Sequence, residues 1–128
     1  MLSDYFIHYK LNIQFLDDEH YRLLEFSDEI KRVITDKEKV LSIINVYYDL
    51  VVIHFQHEEE FMESIQYPFI RYHREVHSKI LLKLTQLKND ENIYSHTQQD
   101  LFLVTIRNGL LHHIDNDDRQ ISIFLGKS

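Results

Sequence analysis

The chain has 128 residues, 44% apolar and 27% charged, with a formal net charge of −7, which suits one folded domain with a real core and excludes a disordered segment. The acidic balance argues against nucleic acid, whose phosphates need clustered Lys and Arg, and the absence of cysteine removes disulfides, Cys-ligated zinc and thiol chemistry. No run is apolar for long enough to span a bilayer, and the opening MLSDYFIHYK lacks the pattern of a signal peptide, so the expectation is a soluble cytoplasmic domain with no membrane partner.

Only two glycines and one proline interrupt the sequence, which favours a few long helices. One domain is expected over 1–128, opening with an N-terminal arm over 1–15 that is rich in Tyr and Phe. Four segments then space their apolar residues alternately three and four apart, as helices do when they pack at a shallow angle. They predict helices over roughly 16–35, 37–65, 69–88 and 96–125. The first seam reads Leu16, His20, Leu23, Ser27, Ile30, Ile34, and Asp36 is placed to cap the helix that follows. The second reads Val40, Ile44, Tyr47, Val51, His54, Glu58, Phe61, Ile65. Tyr67-Pro68 breaks the pattern, since proline is tolerated at a helix start but not inside one. The third seam reads Ile70, His73, His77, Ile80, Leu84, Leu87. After a polar stretch, Ser95 and Gln98 offer a capping box. The fourth seam reads Leu103, Ile106, Leu110, His113, then loses register before Ile121 and Leu125. Short connections make the fold class all-α, an antiparallel up-down-up-down four-helix bundle.

Leucine-like positions in these seams hold His20, His54, Glu58, His73, His77 and His113. Each unsatisfied buried polar group costs about 1–3 kcal/mol, and a buried Glu is rare unless paired or metal-bound. If the helices alternate in direction, all six fall at the same end of the bundle. His54 with Glu58, and His73 with His77, are four apart and so share a helical face. A single seam histidine reads as a satisfied core residue; a whole layer of them reads as a metal site. Imidazole with carboxylate suits iron, zinc or manganese, and five histidines exceed what one tetrahedral zinc takes, so two ions fit better.

At these residues the sequence resembles the hemerythrin family, in particular its bacterial single-domain members. Leu16-Asp17-Asp18-Glu19-His20 looks like the family's acidic stretch ending in His, and His54-Phe55-Gln56-His57-Glu58-Glu59-Glu60-Phe61-Met62 is similar to its His-Phe-x-x-Glu-Glu-x-x-Met. Tyr67-Pro68, His73, His77 and the run His113-Ile114-Asp115-Asn116-Asp117-Asp118 complete the match over nearly the whole chain. The resemblance implies two iron ions with an oxo or hydroxo bridge. His73, His77 and His113 would ligate one iron, and His20 and His54 the other, while Glu58 and Asp118 would bridge both. It further implies reversible O2 binding, for carriage, storage, delivery or scavenging, rather than an enzyme. The alternative is sensing, reduction of NO or peroxide, or repair of iron centres at the same site, with a redox partner.

Asp118 is five residues beyond His113, which advances a regular helix by about 140°, so Asp117 would share the face of His113 better. The seam resumes through Ile121 only from Asp118, so a bulge or break after His113 is expected, with Asp118 as ligand. His8, His57, His96 and His112 miss the layer and are expected to face solvent or bond locally. Glu59 and Glu60 read as a solvated face, and Leu24, Phe55 and Ile114 as ligand neighbours in ordinary core packing. The family usually has Trp near the N-terminus and again four residues before the last histidine ligand. This chain has no Trp, with Tyr residues near the first position and Gly109 at the second. Either another aromatic fills that gap, or a wider path for O2 and solvent is left.

Overall fold

The computed structural model describes residues 6–33 and 37–127, with side chains for 6–30 and 41–127. Four long helices make up most of it: α1 (Gln14–Val33), α2 (Lys37–Ser64), α3 (Ile70–Lys88) and α4 (His96–His113). A π-helical turn, Ile114–Asp118, carries α4 into a short α5 (Arg119–Phe124). Helix α2 packs on α1 and α3, and α4 packs on α3 and α1, closing an antiparallel ring with no strand among the described residues.

The seams face inward. Leu16, Leu23, Ser27 and Ile30 of α1, Ile44, Tyr47 and Val51 of α2, Leu84 and Leu87 of α3, and Leu103, Ile106 and Leu110 of α4 are all buried. Full burial of one such apolar side chain contributes about 1.5–3 kcal/mol. Ile34, the side chain of Val40 and the capping role of Asp36 fall outside the described residues.

The ends of the helices follow from local chemistry. Before α1 the chain turns at Asn12, which has a positive φ of 61°. The Asp17 carboxylate accepts the backbone N–H groups of Leu11 (2.8 Å) and Asn12 (3.0 Å), and as a charge in the first turn it also suits the helix dipole. At the end of α2, Gln66 takes the left-handed conformation (φ 54°). Tyr67 N–H then reaches Met62 O (2.9 Å) and Gln66 N–H reaches Glu63 O (3.1 Å). These two bonds form the Schellman pattern that satisfies the last carbonyls of a helix, and Pro68 blocks its continuation. Ser95 Oγ accepts from Gln98 N–H as a cap of α4 (3.1 Å). The reciprocal half of the capping box is not formed, because Ser95 N–H donates to Asn92 O (2.9 Å) instead, while the Gln98 amide donates to Leu87 O.

Two main apolar clusters, with a small third around Phe6, Leu24 and Leu111, divide the interior. The larger joins residues such as Leu23, Ile44, Phe55, Leu84 and Phe102. The smaller joins Leu11, Ile13, Leu16, Met62, Tyr67, Ile114 and Ile121, so the arm and α5 cap one end of the bundle. Ser122 Oγ donates to Leu11 O (2.6 Å) and the Arg119 guanidinium to Lys10 O (2.6 Å), pinning arm to α5.

Candidate metal centre

Each ionisable seam residue is brought to one point. His20 comes from α1, His54 and Glu58 from α2, His73 and His77 from α3, His113 from the end of α4 and Asp118 from the π-helical turn, and none is more than 3% exposed. The Nε2 atoms of all five histidines face the two carboxylates, and the carboxylates divide their oxygens. Glu58 Oε1 lies 2.6 Å from His73, 2.9 Å from His77 and 3.4 Å from His113. Its other oxygen lies 3.5 Å from His20 and 3.4 Å from His54. Asp118 repeats this, with Oδ1 at 2.9 Å from His73 and 3.1 Å from His113, and Oδ2 at 3.2 Å from His20. Two groups that could hold a metal ion result, one with three histidines and Asp118 and one with two histidines; Glu58 belongs to both, and Asp118 Oδ2 faces His20 of the second.

The π-helical turn explains Asp118. Its wider winding absorbs the extra residue and turns Asp118 onto the face of His113, so that Asp118 is fully buried in the cluster. Asp117 sits behind the ring, accepting from His113 Nδ1–H at 2.9 Å with its side chain 17% exposed. A π-helical turn after His113 is the break that the lost register called for.

Behind the ligand layer stand carboxylates that the sequence did not reveal. His54 Nδ1–H donates to Glu19 (2.7 Å) and His77 Nδ1–H to Glu59 (2.8 Å). Because an ionised carboxylate only accepts, these bonds fix a proton on Nδ1 and aim Nε2 inward, where its lone pair would be offered to a metal ion. The expectation of a solvated Glu59 is therefore corrected: it braces His77 and pairs with Arg74 (3.2 Å). Its neighbour Glu60 is exposed. His8, His96 and His112 are exposed as well, His112 beside Asn116. His57 is exposed and donates to Glu19 (2.7 Å). Asp117 was the most legible of these partners, since a residue four beyond His113 lies over the same ring.

The electrostatics ask for positive charge. Burial alone would push Glu58 upward, yet the imidazoles of His113, His20, His54 and His73 gathered around it hold it well below the usual carboxylate range. Asp118 is likewise held down, burial and the charge of Glu58 being outweighed by His113 and His20. Burial would lower His54 and His73, but the carboxylates around them push each up to about 9. His54 owes this to Glu19 and Glu58, and His73 to Asp118 and Glu58.

The donor set fits a pair of cations. His77 Nε2 and His113 Nε2 are 2.9 Å apart while both Nδ1 atoms donate outward. Two ring nitrogens therefore converge, an arrangement that a shared metal ion would satisfy. Buried His20 Nε2, His54 Nε2, Glu58 Oε2 and both Asp118 oxygens have no hydrogen-bond partner, though buried polar groups rarely go without one. Phe55 stacks flat on His77 (ring centroids 3.8 Å apart, interplanar angle 6°). Leu24, Phe55 and Ile114 are all buried.

Gly109 is half-buried, and a Cβ built on it would meet nothing within 4 Å. Among the described residues, no aromatic side chain comes within 4 Å of that Cβ. Near the N-terminus, Phe6 packs edge-on to Tyr21 beside Leu24 and Leu111.

A family model described as the hemerythrin HHE cation binding domain matches residues 11–122. A bacteriohemerythrin of Campylobacter jejuni is 25% identical over 115 residues, which is 87% of this chain and 86% of that protein. A bacteriohemerythrin of Pseudomonas aeruginosa is 27% identical over 108 residues, 83% of this chain and 70% of that protein. No solved structure gives a significant match.

Proposed function

Because this chain belongs to the hemerythrin HHE family, whose domain implies a di-iron centre, we propose that it binds O2 reversibly. In this reading His73, His77 and His113 would hold one iron and His20 and His54 the other, with Glu58 and Asp118 shared between the two positions. The carrying observation is the unequal division of imidazoles around two shared carboxylates. Unequal sets leave one ion short of protein ligands and open to a small molecule. When bound, the iron pair supplies the electrons and the vacant position that O2 uptake needs. The chain's own part is to hold the ligands still and keep bulk water out. Five histidines against two bridging carboxylates also favour binding over oxygenase chemistry, since oxygen-activating bundles of the ferritin type use more carboxylates. The name bacteriohemerythrin on the two relatives supports the same reading.

An optical spectrum of the iron-loaded protein tests it, taken without oxygen, then with O2, then after its removal. Two irons per chain and a visible charge-transfer band that comes and goes with O2 are the expected result. Two irons that oxidise once and do not return would move the function to reduction or sensing.

The gap at Gly109 has its own consequence. Solvent reaching the site promotes irreversible oxidation of the iron, so a Gly109→Trp variant is expected to autoxidise several-fold more slowly than the parent, measured as decay of the oxygenated band. An unchanged rate would mean that the gap is not the route for solvent.

A further inference from the structure

We propose that Glu19, steadied by the exposed His57, is the positioning residue of the two-histidine iron position and sets how tightly that one ion is held. The proposal rests on the ligand assignment given above.

The outer partners of the two ligand sets are unequal. In the three-histidine set, His77 is braced by Glu59 and His113 by Asp117, and Glu59 is itself tied to Arg74. In the two-histidine set only His54 has an anionic brace, because His20 Nδ1 is buried with no hydrogen-bond partner. Glu19 is therefore the sole carboxylate found behind that position among the described residues.

Its placement lets it act on both ligands. Glu19 precedes His20 in α1, so any shift of its backbone moves His20. Its Oε1 accepts from His54 Nδ1–H on α2, at 2.7 Å. Its Oε2 accepts from His57 Nδ1–H, one turn further along α2, also at 2.7 Å. The carboxylate thus clamps α1 to α2 through two imidazoles, one buried and one with its side chain 48% exposed. A carboxylate on the outer nitrogen fixes the rotation of a ligating ring and strengthens its inner nitrogen as a donor, and losing such a partner typically costs about 10–100-fold in metal affinity.

The test is anaerobic release of ferrous iron to a chelator, with the iron-free melting temperature as a structural control. From the parent, two irons per chain leave slowly. In Glu19→Ala, half of the iron is expected to leave about 10–100-fold faster and the other half at nearly the parental rate. Glu19→Gln keeps an acceptor and should fall in between. Glu59→Gln should speed the opposite half. His57→Ala, a surface change that does not threaten folding, should speed the same half as Glu19→Ala by a smaller factor, and His57→Gln, which restores a donor, should recover it. Equal acceleration of both halves, or none in either Glu19→Ala or His57→Ala, would overturn the proposal. A parent that binds fewer than two irons would instead overturn the ligand assignment, and this inference with it.

Discussion

An Asp118→Ala variant is expected to hold at most one iron per chain, while Asp117→Ala keeps two with affinity lowered about 10–100-fold. The two aspartates are neighbours, yet they meet the site from opposite sides of one imidazole. Asp118 divides its oxygens between His73 and His113 on one side and His20 on the other. Without it Glu58 would be the only carboxylate shared by two dications, and their repulsion in a dry interior would be less well screened. Asp117 touches no inner nitrogen; it only orients His113 through Nδ1. Iron counted after anaerobic loading, with titration calorimetry for affinity, separates the two. If Asp117→Ala strips the iron while Asp118→Ala leaves it bound, the wrong aspartate has been assigned.

That pair also marks where the sequence stops being readable. The bundle follows from seam spacing because burial of one helical face is a periodic property, and the inner histidines lie on the same seams as the leucines. Asp118 breaks the period, and only the failure of the seam to resume from Asp117 hinted at a wider turn. The outer carboxylates were hidden for a different reason. Whether Glu59 meets His77 or water depends on how α2 and α3 are rotated against each other, which no single helical pattern records. Glu19 posed the same problem across α1 and α2. Asp17 looked like one more acid in a short run, although it ties down the backbone of Leu11 and Asn12. That role depends on the fold of the arm, and the arm has no periodicity to read.

Removing iron is expected to lower the melting temperature and to make it fall as pH rises from about 6.5 to about 9. At a free-ion concentration of 100 times its dissociation constant, one bound metal stabilises the fold by about 2.7 kcal/mol, and chelation removes that. What remains is a buried layer in which protons stand in for the dications. His54 and His73 are raised from 6.5 to about 9, so their contribution to stability is fully present below pH 6.5 and disappears as pH climbs through about 9. Glu58 and Asp118 are lowered from 4.5 and 3.8, so theirs is present above those values and lost in acid. The iron-free protein should thus be most stable in the mildly acidic window between the two groups. Each 1 kcal/mol lost above it lowers the melting temperature by about 2–8 °C. The loaded protein should change less over the same interval, because its charge comes from ions that do not titrate there. Iron binding at neutral pH should also release protons, seen as a buffer-dependent heat in calorimetry. An iron-free melting temperature that stays level or rises between pH 6.5 and 9 would mean that the histidines are not held as cations by Glu58 and Asp118, and the electrostatic account of the site would have to be given up.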